Sequence, residues 1–417
     1  MNILLRNRNL LLMFLSILLS TIGGAIFFVS IVWTAASELG GASSVSLVLS
    51  FQALPLIITA PFAGLFVDKR EKRKVLFWSS FIDGLALVFM TLLLHVGVLN
   101  VWMLCIIIFV QQFLASFAGP AGSAFIPLVV KDEDLSRANS IVTSASMLAQ
   151  LIGLGVGGII VASLGVKGAV ALNAALFIIS ALFALFITYK EEISKHVVDT
   201  TVLHGIKDGF KYAWKKVEVK WLIFLEIALD FFGLALFAAL PVMAKDVLKV
   251  GAQGYGVLQT MSSIGSLMCG LAMAFLPEVK RKYLAMTVAN VTLGVIFSLI
   301  GLSTSSVIVA MLLFIFGLLV GYDNIIISLI LQRVTDKDYR GRVFSFRSML
   351  DNIIRPLGYI FLNLMLLILS MKQVVVTYGI VISIIGLGYL LIPYFTNKEL
   401  SKADSCNSGQ ESGDVSK

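Results

Sequence analysis

The sequence predicts an all-α integral membrane protein, with twelve transmembrane helices in two six-helix bundles. Three observations carry that prediction. First, 59% of the 417 residues are Ala, Val, Ile, Leu, Met, Phe, Trp, Tyr or Cys and only 13% are charged, with a mean hydropathy of +0.97. Soluble chains are about half apolar and a quarter charged. This chain lacks the polar surface to cover a water-soluble body, so lipid must cover part of it. Second, apolar runs of roughly 20 residues, the length that crosses a bilayer, recur along the whole chain. Third, six of these runs precede the longest connection, residues 190–220, and six follow it.

In order, the runs are 10–33, 44–67, 75–95, 99–128, 139–163, 168–189, 221–244, 254–277, 283–303, 305–331, 343–369 and 374–395. The first follows Arg6 and Arg8, as the h-region of a signal peptide would. It is too long for one and leads straight into further apolar runs, so it reads as a span. The fourth and eleventh carry polar residues. Basic side chains orient the set. Lys69, Arg70, Lys72, Arg73 and Lys74 share one connection, Lys131 and Arg137 another, and Lys190, Lys195, Lys207, Lys211, Lys215, Lys216 and Lys220 the long one. Lys280, Arg281 and Lys282 follow, then Arg333, Lys337, Arg340 and Arg342. The alternate connections hold only Lys167, Lys245, Lys249 and Lys372. Basic loops stay in the cytoplasm, which places both termini there and the chain in the cytoplasmic (inner) membrane. An even number of spans agrees.

The expected organisation is a first bundle over 1–189, a cytoplasmic linker over 190–220, a second bundle over 221–395 and a disordered cytoplasmic tail over 396–417. The halves echo each other. Asp68 and a basic cluster follow the second span as Glu278, Lys280, Arg281 and Lys282 follow the eighth. Asp132, Glu133 and Asp134 precede the fifth as Asp336 and Asp338 precede the eleventh. The offset is about 205–210 residues both times, as in a repeated bundle. Within the linker, Ile206, Phe210, Ala213, Trp214 and Val217 recur at helical spacing among lysines, which reads as an amphipathic helix at the membrane surface.

Other function classes find no support. The net charge of +8 sits in short loops rather than in a basic domain, which argues against nucleic acid. Cys105, Cys269 and Cys406, and His95, His196 and His204, have neither disulfide nor metal spacing. No phosphate-binding loop is present, and Gly153, Gly155 and Gly158 have dinucleotide spacing but lie inside an apolar helix with no strand before it. No nucleophile–base arrangement marks an enzyme. No cofactor or metal is expected.

The segment Gly64-Leu65-Phe66-Val67-Asp68-Lys69-Arg70-Glu71-Lys72-Arg73-Lys74 resembles the signature between spans two and three of the major facilitator superfamily. Pro61-Phe62-Ala63-Gly64, Ala138-Asn139-Ser140 opening span five and Gly341-Arg342-Val343-Phe344-Ser345 opening span eleven resemble its macrolide-efflux branch, among drug:proton antiporters. The resemblance covers residues from about 10 to 395 and implies alternating access with efflux of drugs. Physically, Gly64 permits close helix approach, and Asp68 at a helix end can pair with a basic group or helix terminus of the other bundle. Gly64, Asp68, Arg70 and Arg73 are therefore candidates for a conformational latch; a purely topogenic basic loop is the alternative. Asp83 of span three is assigned to the latch region. In span five, Gly153-Leu154-Gly155-Val156-Gly157-Gly158 resembles the exporters' fifth-helix motif, except that Leu154 stands where proline is usual and no kink is expected.

A charge inside the bilayer is costly and marks a functional candidate. Glu226 and Asp230 lie four apart on span seven, so they share a helix face. At 1.5 Å per residue from Trp221, Asp230 falls near the midplane. Asp323 is deep in span ten, and Asp351 and Arg355 are one turn apart in span eleven, positioned to pair with each other. Glu226, Asp230, Asp323 and Asp351 are candidates for proton coupling, with a structural or substrate-contact role as the alternative. Gln52, Gln111, Gln112, Asn173 and Arg355 are candidates for the substrate cavity, with Asn290 and Asn363 as further polar positions. The expected partners are a small amphipathic molecule, protons and the lipid bilayer, with the protein monomeric. Export of a native metabolite, such as a siderophore, peptide or lipid-like compound, is the alternative; a membrane protein without transport activity fits the residues least.

Overall fold

Inside a bilayer every backbone amide must be bonded within its own segment, so this chain crosses as helices. A computed structural model describes residue 4 and residues 6–59, 62–189, 202–273, 275 and 281–394. Among the described residues ten helices are long and apolar enough to cross a membrane. Span one is Arg8–Ser37, span two Ala42–Thr59 with the short Ala63–Asp68 beyond it, span three Lys72–Val96 and span four Val101–Val129. Asp132–Leu185 has 54 residues, roughly 80 Å of helix at 1.5 Å per residue, against a hydrocarbon core of about 30 Å. It breaks at Gly165, whose φ of 67° and ψ of 173° suit glycine alone, and so supplies spans five and six.

Val202–Lys215 forms the linker helix. Span seven is Val217–Val242, ending in the π-turn Met243–Val247; span eight is Gly251–Met273, nine Lys282–Leu302, ten Ser306–Val334 and twelve Met371–Leu387. Span eleven, Arg340–Leu366, is long enough but too polar to qualify by apolarity. With it and the break at Gly165, the helices make the twelve passes expected. Several start earlier than their apolar runs. Span five begins at Asp132 rather than 139, because Asp132, Glu133 and Asp134 suit the positive end of a helix dipole. Glu278, Lys280, residues 190–201 and the tail after 394 lie outside the described residues, as do the side chain of Ile206 and Pro61.

Helix pairing repeats between the halves. Span two packs on four as eight packs on ten, three on six as nine on twelve, and one on five as seven on eleven. Glycine sets the closest approaches. Gly153 and Gly157 of span five lie against Ala25, Ile26 and Val29 of span one, and Gly294 of span nine lies against Gly379 and Ser383 of span twelve. Ser383 Oγ donates to the carbonyl of Val291, and Ser298 Oγ to that of Val376.

The halves meet at the end away from the termini. Trp33 stacks on Tyr255 at 6.2 Å, Lys245 Nζ donates to the carbonyls of Ala36 (3.4 Å) and Ser37 (3.1 Å) at the end of span one, and a Cβ on Gly158 would stand 2.5 Å from the carbonyl of Ala252. The buried core there is continuous across both halves. At the termini face the first bundle instead keeps its own core, built on Leu10, Met13, Leu76, Phe125, Ile126 and Ala184. The two bundles therefore close over the far end and part toward the termini.

A leucine at 158 cannot fit against Ala252 and Gly256 without moving the bundles. Overpacking of this kind costs about 1–3 kcal/mol, borne only by the state closed at the far end. Spin labels at Glu38→Cys and Lys249→Cys should move apart in Gly158→Leu relative to the unmodified glycine background. An unchanged distance distribution would show that this contact does not hold the far end shut.

Candidate functional site

Membrane-buried charges need partners, and the second bundle supplies them from four helices. Glu226 of span seven is buried at 5% exposure. Arg347 of span eleven donates a charge-assisted hydrogen bond to it and a second, at 3.3 Å, to Ser328 Oγ of span ten. The other Glu226 oxygen and Arg347 Nε have no partner. One and a half turns from Ser328, Asp323 accepts from Asn290 Nδ2 of span nine at 2.7 Å; the same amide donates to the Met286 carbonyl at 3.1 Å. Asp351, one turn beyond Arg347, is half-buried with one oxygen unpartnered.

Asp230, one turn beyond Glu226, is exposed, although it lies in the middle of span seven. It interacts electrostatically with Asp351, Arg355, Asp323 and Arg347, so its exposed face looks into the parting between the helices rather than onto lipid. Four carboxylates and two guanidiniums thus form one constellation. With all six ionised the carboxylates outnumber the guanidiniums by two, an excess of negative charge that is costly within a bilayer.

The sequence placed Glu226 beside Asp230 as a repelling pair and Asp351 beside Arg355 as an attracting one. The structure gives Glu226 a direct partner on another helix. Among the described residues no ion pair joins Asp351 to Arg355; Arg347, one turn to the other side, acts on the same carboxylate. Arg355 is exposed and, among the described residues, in no ion pair, although it acts electrostatically on Asp230 and Asp351. Three contributors were missed. Arg347 lies inside the eleventh apolar run, and the rule that picked out Arg355 applies to it equally. Ser328 carries no sequence signal. Tyr389, in the turn Gly388–Leu391 after span twelve, is fully buried with its hydroxyl unpartnered, and it interacts electrostatically with Asp323, Glu226 and Asp230.

The first bundle holds the other candidates. Gln52, Gln111 and Gln112 are half-buried on spans two and four. Asn173 is fully buried, and its Oδ1 would lie 2.7 Å from a Cβ on Gly23 of span one. It is packed inside the first bundle and lines no opening, because span six turns that face toward span one. Asp83 is likewise buried, at 3% exposure, next to Gly84, which packs on Ile178 of span six. That removes it from the loop after span two. Gly64 and Asp68 belong to the short helix Ala63–Asp68, and Asp68 is exposed. Arg70 stacks over Phe66 at 5.7 Å. Arg73 donates to Glu71 at 3.1 Å and to the Ile187 carbonyl beyond span six at 2.9 Å. Hydrogen bonds from Lys74 and Arg73 hold the Glu71 carboxyl below the usual range. Among the described residues none of these side chains reaches the second bundle, as expected where the halves have parted. In span five, Gly153 and Gly157 face span one while Gly155 and Gly158 face Thr260 and Ala252 of span eight. The unkinked glycine run serves both the bundle and the contact between bundles.

Comparison with known proteins agrees with this architecture. The chain is 25% identical over 402 residues, 94% of each chain, to the uncharacterized MFS-type transporter YvqJ of Bacillus subtilis. It is 26% identical to the multidrug efflux pump Tap of Mycolicibacterium fortuitum, covering 84% of this chain and 87% of that one. With macrolide efflux protein A of Streptococcus pyogenes the identity is 20%, covering 82% and 85%. The solved nucleoside transporter NupG superposes with a TM-score of 0.73 at 15% identity, covering 93% of this chain and 99% of that one, and shows the same fold. The family model of the Major Facilitator Superfamily matches residues 13–359, and with five-sixths of its length so matched the chain belongs to that superfamily of transporters.

Proposed function

We propose that this protein is a proton-coupled exporter, which carries amphipathic small molecules, macrolide-type drugs among them, out of the cell by alternating access. The observation that carries the reading is the charge constellation of the second bundle, with two more carboxylates than guanidiniums. The basic loops put the termini in the cytoplasm, so the parting between the bundles opens inward, where an exported molecule loads. The named efflux relatives, Tap and macrolide efflux protein A, support the same direction.

In this reading the halves 1–189 and 221–395 rock about the constellation, and the protein works as a monomer. With the inside open, exposed Asp230 meets the cargo, and a cationic or polar cargo group replaces its water. Opening to the outside brings a proton from the more acidic side to Asp230, Asp351 or Glu226, and the cargo leaves. A proton on Glu226 removes the charge that Arg347 pairs with, and the guanidinium then turns to Asp351. Asp323, fixed by Asn290, holds the field of the site steady. Gln52, Gln111 and Gln112 give the cargo hydrogen bonds from the first bundle. Gly64, Asp68, Arg70 and Arg73 close the cytoplasmic side when the halves come together there. A second reading, export of an anionic native metabolite, draws on Arg355, which is exposed and in no ion pair.

Liposomes with an imposed pH gradient test the main reading. Wild type should move a fluorescent amphipathic cation and a labelled macrolide down to a gradient-dependent steady state, and Asp230→Asn and Glu226→Gln should each cut the rate by at least about tenfold. Undiminished gradient-driven movement in both variants would remove span seven from the coupling. Movement of neither cargo by folded wild type would shift the reading to the native metabolite.

The ion pair gives an independent prediction. Removing one partner of a buried pair costs about 3–5 kcal/mol, whereas removing both costs much less. Arg347→Gln should therefore melt well below wild type in detergent, and Glu226→Gln/Arg347→Gln should recover most of the difference. A double variant no more stable than the single would mean that Arg347 is held by something other than Glu226.

A further inference from the structure

The linker helix Val202–Lys215 ends one residue before span seven begins, which fixes its end at the bilayer boundary. At 100° per residue its surface divides into three strips. The strip with Asp208, Gly209, Tyr212 and Ala213 is turned to protein. Gly209 lies directly under the carbonyl of Arg342, and Ala213 is buried. Arg342 pairs with Asp208 at 3.2 Å. Tyr212 stacks on Tyr339 at 4.7 Å and its hydroxyl accepts from the Asp336 amide at 3.0 Å. All of these partners belong to the start of span eleven or the connection just before it.

Among the described residues the two remaining strips are largely open. Lys207, Lys211 and Lys215, spaced four apart, are all exposed. Beside them Phe210 and Trp214 are 43% and 63% exposed and stack at 5.5 Å. Lys220 sits over Trp214 at 5.3 Å. A row of lysines next to a row of exposed aromatics, level with the start of a span, matches the layout of a lipid headgroup region: phosphate charge outside, glycerol and upper acyl carbons just within. Trp214 and Phe210 would otherwise face water.

We propose that this face is a binding site for anionic phospholipid headgroups, and that an occupied site steadies the start of span eleven. The lysines take the phosphates and the aromatics enter the interface; the opposite strip passes the restraint to Arg342 through Asp208, and Phe210 itself passes it to Phe346, which it meets at 5.5 Å. Arg347, the partner of Glu226, is the next residue along. Lipid composition would thereby set how freely span eleven moves at the constellation. The site itself needs no assumption about cargo or coupling.

The test uses the full-length protein in phosphatidylcholine vesicles carrying a minor share of brominated phosphatidylglycerol, or the same share of brominated phosphatidylcholine. The quenching lost on Trp214→Phe isolates that indole. Each lysine near an anionic surface adds about fivefold to binding, so Trp214 should prefer the anionic lipid at least about tenfold. Lys207→Gln/Lys211→Gln/Lys215→Gln, at exposed positions, should bring the preference close to one. Amide hydrogen exchange over residues 340–347 should slow several-fold with unbrominated phosphatidylglycerol in wild type and not in the triple variant. A wild-type preference near one, or a preference unchanged by the three substitutions, would overturn the site. Exchange indifferent to anionic lipid would overturn its link to span eleven.

Discussion

The ion pair between Arg347 and Glu226 is the constraint on which the second bundle is organised. A guanidinium within a bilayer costs several kcal/mol unless it is paired, and here it is bonded to span seven and span ten at once. That requirement draws the polar face of span eleven inward and explains why a helix too charged to pass as a lipid-facing span nonetheless crosses. Breaking the bond leaves a buried charge, so span eleven cannot slide or turn unless another group takes over. Asp351 stands one turn away with an unpartnered oxygen. Two carboxylates within reach of one guanidinium make a two-position element, and protonation is a natural way to bias it.

The two bundles share a helix pairing but differ in what fills the interior. The first is held by glycine approaches and hydroxyl contacts such as Ser16, Ser80 and Ser180, linked at 3.0 and 3.2 Å. These are small neutral groups that pack rigidly. The second carries the charge constellation. At the far end the contact between bundles is again small and neutral, Gly158 against Gly256 with Trp33 on Tyr255, supplemented by Lys245 on the carbonyl end of span one. Such a surface has no buried charge to strand when it opens, so it can part and reform at low cost.

Most of the fold was legible in the sequence because the bilayer permits so little else: length and apolarity place all twelve passes. Two regions show how the structure departs from a simple count of apolar helices. Spans five and six run on as one helical stretch until Gly165, whose φ is a property of the turn. Span eleven, present among the apolar runs, is the most polar of the twelve because it carries Arg347, Asp351 and Arg355. The candidate acids were legible from burial cost, but their partners were not. Spacing of four on one helix favours Asp351 with Arg355, whereas both Arg347 and Arg355 act on that carboxylate, and Glu226 finds its partner across 121 residues of sequence. Asn173 shows the same limit: an amide in a span can face a cavity or a neighbouring helix, and here Gly23 of span one lies opposite it.

Span eleven gathers these separate features. Its first turn is gripped by the linker helix through Asp208 and Tyr212, its middle carries Arg347, Asp351 and Arg355, and it packs on span two of the other bundle. Gly358 lets it approach Phe231 of span seven, one residue beyond Asp230. In the mechanism proposed above, a helix held at one end by a surface element, bonded at its centre to the titratable groups, and in contact with the opposite half converts a change of charge into a change of bundle orientation. None of those three contacts alone would do so. The charge site without span two would shift only its own bundle, and span two without the charge site would have no reason to move.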